Sequence, residues 1–154
     1  MITVLLVVHT LIAVVLIGAI THQVLVLWRT RPSAPDTFFG RLINVRASSY
    51  TNVVVATYAL NFAVGAIIYA TYRLEVRPYL ENTGMFIAAG SFETKEHLAA
   101  LGLGLLPAYW LFWKAPSLIG HVSVRKYITL LLAFYIWWNF LVGHVLNNIH
   151  GLPS

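Results

Sequence analysis

The stretch SFETKEHLAAL, residues 91–101, gathers Glu93, Lys95, Glu96 and His97 at the mouth of an apolar run, in a chain with only ten Lys or Arg and five Asp or Glu in 154 residues. At about 100° per residue on a helix, Glu93, Glu96 and His97 fall within an arc of about 100° and share one face. Carboxylate, ammonium and imidazole together can move protons, ligate a metal or pair with an anionic group. His9, His22, His121, His144 and His150 complete the imidazoles. There is no cysteine, which excludes disulfides, thiolate catalysis, iron–sulfur clusters and covalently attached c-type haem.

The elements that must position these groups are membrane helices. Hydrophobic residues make up 59 % of the chain, charged residues 10 %, and the mean hydropathy is +0.77. A soluble domain carries about 25 % charged residues, so a fully wetted surface cannot be built from this composition. Four stretches approach the roughly 20 residues that cross a ~30 Å hydrocarbon core. They fall at about 2–28, 50–72, 97–113 and 127–146. The fold expected is all-α, an integral membrane four-helix bundle forming a single domain over 1–154. In lipid every backbone group must be satisfied within its own helix. The first stretch contains a passable small-residue cleavage site, IGAITHQ. It lacks a basic n-region and exceeds the usual signal-peptide length, so it reads as a retained helix.

Basic residues set the orientation. The connections after the first and third spans carry Arg29, Arg31, Arg41, Arg46, Lys114, Arg125 and Lys126, against Arg73, Arg77 and Lys95 between the second and third. Both termini are therefore expected on the outer, non-cytoplasmic side of a bacterial-type inner membrane. The formal charge of +5 is a topology signal and no argument for nucleic acid. The inner connection contains DTFFGRLINVR, which can form a short amphipathic helix. The outer one, RLEVRPYLENTGMFIAAGSFETKE, is too long to be structureless, and GMFIAAG within it reads as an interfacial or re-entrant piece able to act as a lid.

Depth organises the histidines. With about 1.5 Å rise per residue, His9, His97 and His144 each fall roughly 9 to 12 Å outward of their helix centres, one per helix in a single layer. Asn147 and Asn148 share the face of His144. His22 follows His9 by thirteen residues, about 140° around the helix, so a stacked two-haem arrangement is poorly supported and one outer site is the better reading. A membrane histidine can also simply bond a neighbouring helix. Glu93 and Glu96 can be carboxylates favoured by a helix N-terminus, and Lys95 can snorkel. Trp28, Trp110, Trp113, Tyr50, Tyr72 and Tyr127 read as an interfacial belt. Trp137 and Trp138 read as core filling, or as the lining of a flat cofactor.

VHTLIAVVLIGAITHQVLVLWR, FETKEHLAALGLGLLPAYW and VRKYITLLLAFY resemble the small four-helix membrane protoporphyrinogen IX oxidases and, more distantly, the CopD-like membrane proteins. That resemblance implies a functional His in the first helix, a functional Lys opening the third, and a bound b-type haem. His9 and Lys95 match those positions in order and approximate spacing.

Three functional classes follow. In a haem-binding membrane redox protein, His9 with His97 or His144 would supply imidazoles, Lys95 with Arg73 or Arg77 would pair with propionates, and Glu96 would carry protons during electron transfer to a quinone or porphyrin. A non-haem iron or zinc enzyme would draw on His9, His97, His144, Glu93 and Glu96. A non-catalytic subunit of a homo-oligomer or larger respiratory or transport complex is the third.

Overall fold

The computed structural model describes residues 2–29, 37–115, 117–118 and 120–150. Arg31 and the prolines of the first connection lie outside them. Helix α1 spans Ile2–Trp28, α2 Phe38–Asn44, α3 Thr51–Thr71, α4 Arg77–Asn82, α5 Phe86–Lys114 and α6 Val122–His150. No strand occurs among the described residues. A 3₁₀ turn at Ala47–Tyr50 leads into α3, and a π-helical turn at Tyr72–Val76 joins α3 to α4. Together these form one helical rod, Ala47–Asn82, of 36 residues.

Three helices are long and apolar enough to cross a membrane: Ile2–Trp28, the Ala47–Asn82 rod, and Val122–Asn148. They show their greasy side chains outward. Leu11, Val14, Ile67, Phe134 and Val145 are all more than half exposed, which is the pattern of lipid-facing helices. Helix α5 is not among the three; its apolar portion follows Glu93, Lys95, Glu96 and His97 and contains Pro107. It packs along α6 and α3, while α1 packs on α3 and α6, giving a four-helix bundle.

The connection between α3 and α5 differs from its expected form. It is helical, and GMFIAAG supplies the turn residue and first residues of α5 rather than a re-entrant piece. Pro78 cannot donate to the preceding turn, and the π-helical turn just before it absorbs that loss. Helix α4 then ends in a Schellman motif. Met85 N–H donates to the Leu80 carbonyl at 2.7 Å, Gly84 N–H donates to the Glu81 carbonyl at 3.1 Å, and Gly84 takes φ 72°. The short amphipathic helix of the other connection forms as α2, tied back by Arg29 donating to Asn44 at 3.2 Å.

The bundle divides into two halves. The loop half, where α1 leads to α3 and α5 to α6, holds the main core, with Ile20, Val54, Tyr109 and Leu132 fully buried. Polar cross-links lock it. Gln23 donates to the Ala47 carbonyl at 3.0 Å and accepts from the Tyr109 hydroxyl. Trp113 donates to Thr129 at 3.1 Å, and Trp137 to Thr21 at 3.0 Å. Trp137 and Trp138 are exposed rather than core-filling, whereas Trp113 and Tyr72 are buried rather than belt residues. The termini half carries a much smaller cluster of Tyr72, Leu80 and Ala89.

Candidate functional site: a cavity in the termini half

Between α1, α3, α5 and α6 the termini half holds a partly open cavity of about 530 Å³, within the ~300–1,000 Å³ typical of ligand sites. Its walls are mainly apolar, including Leu6, Ala13, Phe62 and Ile68, with His9, Asn61, Tyr72, Lys95, Glu96 and His144 among the polar side chains.

Contacts between helices fix the level of each group. Gly65 of α3 faces the His9 ring so closely that an added Cβ would sit 3.2 Å from His9 Cε1. Seven residues to one side, Tyr72 stacks on Phe92 of α5 with ring centroids 3.4 Å apart. Seven residues to the other, the Tyr58 hydroxyl donates to the Ala99 carbonyl at 2.9 Å. Lys95 and Glu96 lie between Phe92 and Ala99 as Gly65 lies between Tyr72 and Tyr58, so the lysine, the glutamate and His9 share one level.

Lys95 and Glu96 form an ion pair whose side chains are only 13 % and 27 % exposed. The Lys95 ammonium also lies 4.3 Å from the Phe92 ring centroid, a cation–π contact that holds the charge inward. Such a pair is strongly coupled, because removing either partner leaves the other charge poorly solvated.

His144 lines the cavity too, accepts from Asn148 Nδ2 at 3.3 Å, and stacks on Phe140. Counted from the Trp137–Thr21 cross-link at about 1.5 Å per residue, His144 sits about 8 Å nearer the loop half than His9. The expected single layer of histidines is therefore staggered. His97 does not line the cavity. It is exposed, and its Nδ1–H donates to the Glu93 carbonyl at 2.7 Å. His22 is buried in the loop half against Tyr50, and His121 lies in the α5–α6 turn.

Glu93 and the arginines also stand off the cavity. Glu93 accepts from Arg77 Nη1 at 2.8 Å and lies 3.8 Å from Arg73, while Arg77 also donates to Glu81 at 2.7 Å. Helix α5 begins at Phe86, two turns before Glu93, so Glu93, Lys95, Glu96 and His97 are interior helix residues. The helix-terminus explanation for the two carboxylates does not hold, because the macrodipole acts only within the first turn. Among the described residues no group of three or more His, Asp or Glu side chains could hold a metal ion. Of the iron or zinc ligand set drawn from His9, His97, His144, Glu93 and Glu96, the structure does not bring all five together: Glu93 pairs with Arg73 and Arg77, Glu96 with Lys95, and His97 is exposed and bonded to the Glu93 carbonyl.

Two wall residues were not singled out as ligand contacts in the sequence. Asn61 is a lone amide in a long apolar run, and that polarity was the available signal. Tyr72 is placed by the π-helical turn, which no spacing rule announces.

No family model, curated protein or solved structure matches this chain.

Proposed function

We propose that the chain is a four-span integral membrane protein, with both termini on the outer side of a bacterial-type inner membrane, that takes part in redox chemistry on a ring compound held in the termini-half cavity. The observation that carries this reading is the meeting of His9 with the Lys95–Glu96 pair at one level of a mainly apolar cavity. Ionisable groups inside a membrane are costly and mark functional sites. A carboxylate and an imidazole in reach of one another can pass the protons that accompany electron transfer.

Haem, a free porphyrin and a quinone are the ring compounds at issue. The fit to haem is partial. His9 and His144 on the wall offer imidazoles of the kind that ligate b-type haem, which when bound would supply one-electron chemistry. The propionates lack partners: Arg73 and Arg77 are held by Glu93 and Glu81 away from the cavity, and Lys95 is neutralised by Glu96. In this reading His9 contacts the ring, Glu96 takes and releases the proton, and Lys95 holds the Glu96 carboxylate in place.

The absorption spectrum of protein purified in mild detergent from haem-replete cells tests the proposal. A Soret band lost on His9→Ala assigns the haem version. A colourless protein that binds added porphyrin or quinone keeps the redox reading without haem. Failure to bind any of the three overturns it.

A further inference from the structure

The wall of the cavity carries an unusual share of stranded polar atoms. His9 Nδ1, Asn61 Oδ1 and the Tyr72 hydroxyl are buried without a hydrogen-bond partner among the described residues, and all three side chains line this cavity. Buried polar groups are normally paired, because an unmade hydrogen bond forfeits solvation with nothing in return. Three such groups on side chains around one void point to a bound molecule that completes them once those side chains turn toward it.

Charge narrows the class of molecule. The charged side chains on the wall are Lys95 and Glu96, and they neutralise each other. The wall thus offers neutral hydrogen-bonding groups and apolar surface with no net charge, which suits an uncharged head bearing carbonyl or hydroxyl oxygens better than a dianionic one.

Exposure shows the way in. The hairpin end is covered by the Tyr69–Tyr72–Phe92 aromatic stack and by Leu80, which is 2 % exposed. Lining residues from α3, α4 and α5 are all buried or half-buried; the exposed ones, Val7, Thr10, Leu11, His144 and Asn147, belong to α1 and α6. These two helices are apolar enough to span the bilayer, so an opening between them would be reached from lipid.

We propose that the cavity takes a neutral, lipid-dissolved amphipath of the quinone or quinol class, that it enters sideways from the bilayer between α1 and α6, and that Asn61 and Tyr72 hold its oxygen-bearing ring beside His9. The inference rests on the reading of this cavity as a redox ligand's site.

The test is equilibrium and stopped-flow titration of the full chain in nanodiscs, with a decyl-substituted benzoquinone and separately with protoporphyrin IX. Tyr72→Phe keeps the stack and removes the hydroxyl; Asn61→Leu removes the amide. Each weakens quinone binding by about fivefold, the usual effect of one hydrogen bond. Gly143 lines the cavity, and an added Cβ there meets nothing within 4 Å. Gly143→Leu therefore sets a branched side chain, its Cβ unobstructed, in the path of entry and slows association by about tenfold or more. Melting temperatures no lower than that of the wild type confirm that each variant is folded. Equal quinone affinity in wild type and the Asn61→Leu/Tyr72→Phe double variant overturns the assignment. So does association unaltered by Gly143→Leu, or binding of protoporphyrin without quinone, which leaves the broader redox reading standing. A wild-type protein that binds neither ring, and shows no haem, overturns both.

Discussion

The two halves of this bundle use the same kinds of residue to opposite ends. In the loop half, Gln23, Thr51, Tyr109, Trp113 and Thr129 are buried and their polar atoms bond one another across α1, α3, α5 and α6. In the termini half, His9, Asn61 and Tyr72 hold buried polar atoms with no partner among the described residues, around a cavity. A satisfied polar network in low dielectric rigidifies a core, and a partly satisfied one is unstable by itself. On this difference rests the proposal that the loop half is scaffold and the termini half takes a ligand.

Stability measurements can break this comparison. The largest effect is expected from Gln23→Leu, which strands the fully buried Tyr109 hydroxyl and the Ala47 carbonyl; it should lower unfolding free energy by about 3 kcal/mol, read by denaturant titration in detergent micelles. Next comes Lys95→Met, which leaves Glu96 without its partner and should cost about 2 kcal/mol, with Lys95→Met/Glu96→Met recovering most of it. A double variant as unstable as the single one would mean that the pair is not acting as a pair. Gly65→Ala presses a methyl against the His9 ring at 3.2 Å and should cost about 1 kcal/mol while displacing His9, visible as a shifted imidazole resonance. The sharpest contrast is Asn61→Leu, chemically close to Gln23→Leu. It removes a stranded amide and should leave stability unchanged or raise it by up to about 1 kcal/mol, as it weakens ligand binding. A loss there as large as at Gln23 would erase the distinction between the halves. The smallest effect belongs to Arg77→Ala, in an exposed network where ion pairs contribute little; no measurable change in melting temperature is expected.

Much of the scaffold was legible in the sequence. The 27 residues of α1 are apolar on every side, and only six are buried, so hydropathy alone located the helix to the residue. His9, Lys95 and Glu96 were legible as site candidates because ionisable groups in apolar runs stand out. The start of α5 was not. Its first turns contain Gly90, Ser91, Glu93 and Lys95, which read as a connection, and their helical state depends on packing against α3 and α4. The role of Glu93 followed from that error, since a residue two turns inside a helix meets the arginines of the facing rod instead of the helix end.

Composition and the placement of charge by themselves determined that this chain is built from helices, that several are long and apolar enough to cross a membrane, and which few ionisable residues sit within them. These are one-dimensional properties, fixed by transfer free energies summed along each segment. Tertiary structure alone decided which of those residues meet. It set His97 outward, bound Glu93 to Arg73 and Arg77, brought His9 level with the Lys95–Glu96 pair, and turned Tyr72 inward through a π-helical turn. Helix rotation and relative register depend on side-chain packing between segments distant in sequence, and no property of a single segment contains them.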